Sequence, residues 1–212
     1  MVFVGKEIEV ICMKKILAVI TARGGSKRIP RKNIKEFCGK PIIAYSIEVA
    51  LASKMFDEVM VSTEDAEIAE IAKQYGAKVP FLRSKEVAND HATTAEVLLE
   101  VLEQYKIRGK EFTYACCIYP TAPFVTEEKL RIGIKMLQQS NVDSVIPVTE
   151  FSYPTMRGLY VRDGKISYAF PEYEKIRSQD IETMYHDCGQ FYWFKVESFL
   201  KNKKTLLTFP AE

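Results

Sequence analysis

The chain has 212 residues, 47% hydrophobic and 27% charged. This is the make-up of an ordinary folded domain, and it excludes a disordered chain, a collagen-like rod and a disulfide-stapled miniprotein. Thirty Lys and Arg against 28 Asp and Glu leave a formal charge of +2. That balance argues against a nucleic-acid packager or a membrane-surface binder, so any anion must be met by a local cluster.

Lys6, Glu7 and Glu9 break up any signal-peptide core, and no run approaches the roughly 18 apolar residues of a membrane span. A cytoplasmic protein is expected. Met13-Lys14-Lys15 ahead of ILAVITA reads as a natural start, which makes residues 1–14 an extension before a single domain over 15–212. Residues 16–22 are a continuous apolar run, the mark of a strand buried on both faces. Pro41 opens a helix over PIIAYSIEVALASK, with proline in its first turn. A strand over 57–63 precedes a helix carrying Ile68, Ile71, Ala72 and Tyr75, stopped by Gly76. A short strand is predicted around Val79–Leu82. Val97, Leu98, Val101, Leu102 and Tyr105 mark the next amphipathic helix, and FTYACCIY at 112–119 the next strand. Thr126 is a candidate N-cap, with Glu127 and Glu128 favourable to the dipole of a helix to about Gln139. Residues 143–149 complete the pattern.

Strands alternating with helices give an α/β, Rossmann-like, mostly parallel sheet with helices on both faces. Beyond Glu150 the rhythm changes. Asp163-Gly164 between LYVR and KISYAF is a hairpin signal, and residues 150–185 read as a projecting β-rich subdomain. Cys12, Cys38, Cys116, Cys117 and Cys188 form an odd set without CxxC spacing and read as reduced thiols.

The chemistry concentrates in residues 21–33, TARGGSKRIPRKN. Between Arg23 and Lys35 stand six basic residues and no acidic one. The loop leaves the carboxyl end of the first strand, where open parallel sheets bind ligands. Gly24 and Gly25 let backbone amides approach an anion and form a nest for a polyphosphate. Charge alone leaves two other readings open, a solvated surface and a nucleic-acid contact. Neither P-loop nor GxGxxG spacing is present.

ARGGSKRIPRKN, FLRSKEVANDHATT, YPTAP, RSQD and YHDCGQFYW occur in that order. Together they resemble the cytidylyltransferases that activate nonulosonic acids, the CMP-sialic acid synthetases and their relatives. YHDCGQFYW, and Tyr119 where sialic acid enzymes usually carry Gln, point to the pseudaminic branch. The resemblance runs from about Lys15 to about Phe209. It implies a nucleotide-diphospho-sugar-transferase-like fold and transfer of CMP from CTP to a sugar's anomeric hydroxyl, with pyrophosphate leaving. On this resemblance Arg23, Lys27 and Lys32 are the catalytic cations. Ala22, Gly24, Gly25, Ser26 and Asn33 join Arg23 and Lys27 at the triphosphate, and Arg83, Asp90 and Thr93 meet the base and ribose. Tyr119, Thr121, Arg177, Gln179, His186, Gln190 and Tyr192 surround the sugar. Mg²⁺ on the triphosphate is implied. The family's acidic segment of form QDIDxxxD, expected to hold it, is not among these residues, and metal ligands remain unassigned. The partners implied are CTP and a nonulosonic acid, without nucleic acid or membrane, in a homodimer built on the aromatic stretch from Phe151 to Tyr173. CMP-sialic or CMP-legionaminic acid synthesis is the second reading, and an inactive nucleotide- or sugar-binding module the third.

Neighbours in a strand face opposite ways, so His186-Asp187-Cys188 is a poor nucleophile pair. His91 reads as a loop residue.

Overall fold

The run ILAVIT forms β1 (Ile16–Thr21) at the heart of a five-stranded sheet. The computed structural model describes residues 15–89 and 92–202. The expected extension, Asp90 and His91 therefore lie outside the described residues. Glu36–Phe37 (β2) and Lys40–Pro41 (β3) make a small antiparallel ladder ahead of helix α1 (Ile42–Ala52). Pro41 sits at the N-cap of α1, one residue before the predicted first turn. β4 (Glu58–Ser62) leads into α2 (Ala66–Gln74), and Gly76, at φ +90°, follows the last turn. Next come α3 (Thr94–Ile107), β5 (Tyr114–Ile118) and α4 (Glu127–Gln139), the last capped by Thr126 as predicted.

The expected strand at Val79–Leu82 reduces to one parallel bridge, between Lys78 and Met60. Pro80 has no N–H to continue a ladder there. The run 143–149 is two strands rather than one, β6 (Ser144–Val145) and β7 (Val148–Glu150), broken at Ile146-Pro147. Neither β11 (Phe191–Lys195), which enters the main sheet between β5 and β6, nor α5 (Val196–Asn202) after it was anticipated.

The sheet order is β4-β1-β5-β11-β6. β1 runs parallel to β4 and β5, with Ala18 level with Val59 and Cys116. β11 is antiparallel to both its neighbours, so it alone runs against the rest. Alternation divides the core. Ala18, Ile20, Val61, Cys116, Ile118 and Trp193 face the layer containing Ile43, Ile47, Ile68 and Leu130. Leu17, Val19, Met60, Ala115 and Phe194, also buried, take the other face; Tyr105 of α3 reaches Glu58 there, and Phe199 of α5 packs 4.8 Å from Phe194. Helices thus cover both faces. Cys116 and Cys117 are buried free thiols, and burial raises both, Cys117 to about 12. Gly133 in α4 leaves room for Trp193, whose Cδ1 lies 2.6 Å from where a β-carbon would stand.

Ile146–Gly189 is a separate compact unit. Within it β7 pairs with β10 (Tyr185–Asp187). β8 (Leu159–Arg162) pairs with β9 (Lys165–Tyr168), as the hairpin signal predicts. Asp163 at φ 50° and Gly164 at φ 70° make its two-residue turn. The hairpin exposes Leu159, Tyr160, Val161 and Ile166. No helix among the described residues is long and apolar enough to cross a membrane.

Candidate active site

Where β1 ends, Ala22 keeps one more sheet-like bond, its amide donating to Ser62 O at 3.0 Å. The chain then turns into the basic loop. Buried Asn33 donates from Nδ2 to the Arg23 carbonyl at 2.8 Å and folds the loop back on its start. Gly24 is required by close approach, because a β-carbon there would collide with Asp65 Oδ2. Its amide donates to Glu64 Oε1 at 2.7 Å, and the Ser26 amide donates to Gly24 O at 3.0 Å. The Gly24 amide, expected in the anion nest, and that of Ser26 beyond it are thus engaged within the protein.

The loop is also less cationic than its sequence. Parallel pairing of β1 with β4 brings the β4–α2 turn alongside, with Glu64, Asp65 and Glu67. Arg31, at φ 54°, forks onto Asp65, with Nη2 3.1 Å from Oδ1, and onto Glu67. The Arg31 hydrogen bond holds the Asp65 carboxyl below the usual carboxylate range, while Asp65 also caps α2 through Ile68 N.

A cavity of about 210 Å³ opens at the carboxyl ends of β1 and β5. It gathers Arg23, Ser26, Lys32 and Asn33 from the loop with Arg83, Tyr119 and Thr121. These seven come from three separated stretches of the predicted site. Thr21, Ala92, Thr94, Val97 and Pro120 complete the lining. The Arg83 side chain is 4% exposed. Its Nε donates to Ser62 Oγ at 3.1 Å and Nη2 to Ser62 O at 2.6 Å, while Nη1 lies 4.0 Å from Glu64 Oε2. Burial, opposed by Glu64 and Glu100, lowers its pKa below that of an ordinary arginine.

Other expected residues hold different positions. Ala22 is buried, and Gly24, Gly25 and Lys27 belong to the loop without lining the cavity. Thr93 is the N-cap of α3 in a capping box with Glu96; its neighbour Thr94 reaches the cavity. Gln190 supplies a backbone carbonyl to Tyr119 N at 2.9 Å. Tyr192 is buried in β11, its ring 5.3 Å from that of Tyr119. Arg177, Gln179 and His186 belong to the second unit and are exposed. Arg177 forks onto Asp180 at 2.7 and 3.2 Å. The His186 ring packs 4.8 Å from Phe151.

Sequence reasoning passed over Val97 as a lining residue, and above all Glu64. The string STED after a strand parallel to the first carries the signal, since it must share the ligand-binding edge. No group of three or more metal-ligating side chains occurs among the described residues. Near the cavity Glu64 and Glu100 each spend one oxygen on an amide, that of Gly24 and, at 2.8 Å, that of Ser84, and Asp65 is taken by Arg31, so the three carboxylates do not gather on one point. These residues do not fit a protein cage for Mg²⁺.

A family model described as cytidylyltransferase matches residues 17–199. The chain is 40% identical over 203 residues to the pseudaminic acid cytidylyltransferase of Campylobacter jejuni subsp. jejuni serotype O:2, a match covering 92% of this chain and 88% of that protein. It is 39% identical over 137 residues to the CMP-N,N'-diacetyllegionaminic acid synthase of Legionella pneumophila, covering 64% and 59%. A solved CMP:2-keto-3-deoxy-manno-octonic acid synthetase complexed with CTP superimposes with a TM-score of 0.67 over 93% of this chain and 80% of that one. At 19% identity that likeness shows the fold.

Proposed function

The chain belongs to the cytidylyltransferase family, and on that premise we propose that it transfers CMP from CTP to the anomeric hydroxyl of pseudaminic acid. Legionaminic acid is the second sugar, on the strength of the Legionella relative. One observation carries the reading. Arg23, Lys32 and Arg83 converge on the same cavity as Tyr119 and Thr121, at the carboxyl edge of the sheet.

In this reading the anomeric oxygen attacks the α-phosphorus. The bond to the β-phosphate oxygen breaks, pyrophosphate leaves, and the hydroxyl proton passes to solvent. Little covalent chemistry falls to the protein, so its contribution is positioning and charge neutralisation. Arg23 and Lys32 meet the phosphates, while buried Arg83 faces the base from a fixed seat on Ser62. Thr94, Tyr119 and Thr121 form the uncharged wall toward the acceptor. The magnesium implied by the resemblance would arrive with the triphosphate.

Further parts of the proposal are a cytoplasmic enzyme, where CTP is made, and a homodimer through the exposed apolar hairpin at 159–168. Pyrophosphate release, measured with CTP, UTP and ATP against pseudaminic, legionaminic and sialic acids, tests the function. Turnover with CTP and pseudaminic acid is expected to dominate. Equal turnover of all three nucleotides would refute the cytidine assignment, and preference for sialic acid the sugar.

A further inference from the structure

Glu64 stands where an anion site has no evident need of a carboxylate. One oxygen accepts the Gly24 amide at 2.7 Å. The other is buried without a hydrogen bond and lies 4.0 Å from Arg83 Nη1. Both of its neighbours belong to the basic loop or to the cavity lining. Arg83 has its remaining nitrogens seated on Ser62, so it is the Nη1 end that turns to Glu64. Gly24 cannot retreat, because Asp65 fills the space against its α-carbon. The loop, Glu64 and Arg83 are therefore held in one arrangement by the β4–α2 turn.

We propose that Glu64 is an affinity-limiting residue, whose carboxylate competes with phosphate oxygens for the Gly24 amide and sets a negative charge beside the cationic loop. The inference rests on the cytidylyltransferase reading and deepens it. An amide N–H has one hydrogen, so a phosphate oxygen takes it only as Glu64 yields. A fixed negative charge a few ångströms away also weakens any polyanion. Inorganic pyrophosphate has no base or ribose contacts with which to offset that loss. Glu64 thereby favours departure of the pyrophosphate product and keeps free pyrophosphate from holding the loop. The nucleotide meets the same opposition and offsets it through contacts that pyrophosphate lacks.

Glu64→Gln keeps the shape and the acceptor for Gly24 while removing the charge. Pyrophosphate binding by calorimetry is expected to tighten about tenfold, the order set by one unit charge close to a multiply charged ion. The constant for product inhibition should fall in parallel. Glu70→Gln, on the exposed side of α2 where Glu70 pairs with Lys73, makes the same charge change and should alter affinity less than twofold. Unchanged or weaker pyrophosphate binding by Glu64→Gln, in a protein that still binds CTP, overturns the inference alone. Failure of the unaltered protein to bind either CTP or pyrophosphate overturns the functional reading with it. A measurement on the unaltered protein stands apart from any folding defect of the variant. With glycine labelled by nitrogen-15, the Gly24 amide resonance should move as pyrophosphate is added. A stationary Gly24 signal at saturation also overturns the inference.

Discussion

The hydroxyls of Thr94 and Tyr119 meet at 3.2 Å, tying the first turn of α3 to the end of β5 across the cavity. Tyr119 is fixed from two further directions, by its amide on Gln190 O and by Ser46 Oγ donating to its carbonyl at 2.8 Å. The phenol is thus aimed, and Thr94 aims it. Thr94→Val removes the hydrogen bond at nearly constant volume. A loss of about 0.5–1.5 kcal/mol, roughly two- to tenfold, is expected in sugar KM, with CTP affinity unchanged. Steady-state kinetics with each substrate varied in turn would show it, and an effect confined to CTP would move Tyr119 to the nucleotide side.

Arg83→Lys keeps a cation but cannot reproduce a planar guanidinium bonding Ser62 through two nitrogens. The site is almost closed to water, so lost bonds are not recovered there. CTP affinity should fall about tenfold and folding stability by about 1–3 kcal/mol. Calorimetry and urea denaturation measure the two separately. Full CTP affinity in the variant would remove Arg83 from the nucleotide site.

Arg177 presents its fork to Asp180 at the surface, the arginine side chain being 72% exposed. Exposed pairs contribute only about 0–1 kcal/mol, so a substrate carboxylate can displace Asp180. Arg177→Lys should raise the sugar KM about ten- to hundredfold, the effect of a lost charge-assisted bond. CTP binding should stay the same. Loss of CTP binding with sugar KM retained would assign Arg177 to the other substrate.

Acid sensitivity should centre on Glu58. Burial alone would raise its carboxyl, but donors from Lys110 at 2.7 Å, Tyr105 at 2.6 Å and Lys78 at 3.3 Å outweigh that and leave it lowered. A carboxyl lowered by folding contributes stability fully above its unfolded pKa of about 4.3. That contribution is lost as pH falls through the folded value. The thermal midpoint should therefore drop as pH falls below about 4.3. Glu58→Gln should flatten this acid limb while lowering the midpoint at pH 7, because two lysines lose their counter-charge. Circular dichroism melts across pH test both arms, and an unchanged acid limb would exclude Glu58 as its source.

Gly133→Ala sets helix propensity against packing. Alanine favours α4 by about 1 kcal/mol, but its methyl would lie 2.6 Å from Trp193 Cδ1. Overpacking of this kind costs about 1–3 kcal/mol, so net destabilisation is expected. Trp193 is the only tryptophan, stacked at 5.3 Å on Phe56, and its near-ultraviolet signal should weaken. A stabilised variant would show that α4 moves aside freely.

What was legible in the sequence was local. The apolar run at 16–21, the Thr126 cap and the Asp163-Gly164 turn each depend on neighbours along the chain, and each stands where its pattern puts it. β11 does not announce itself, because FYWF is aromatic on both faces and reads as easily for a binding motif as for a buried strand. Its pairing with β5 joins residues more than 70 positions apart. The charge of the basic loop misleads for the same reason, since Glu64, Asp65 and Glu67 are absent from its sequence and arrive through the parallel register of β4. The capping role of Thr93 was written in Thr93-Thr94-Ala95-Glu96, where family likeness drew the eye to a ligand instead.

Val145 and Trp193 are partners across two adjacent strands, although the whole of Ile146–Gly189 lies between them in the chain. The excursion therefore leaves and re-enters the sheet side by side, like a drawer in a cabinet. A short turn would close the same gap, and the register of the five strands makes no demand on what the intervening residues are. A longer, shorter or differently charged excursion would therefore leave the strand register behind Arg23, Arg83 and Tyr119 as it stands.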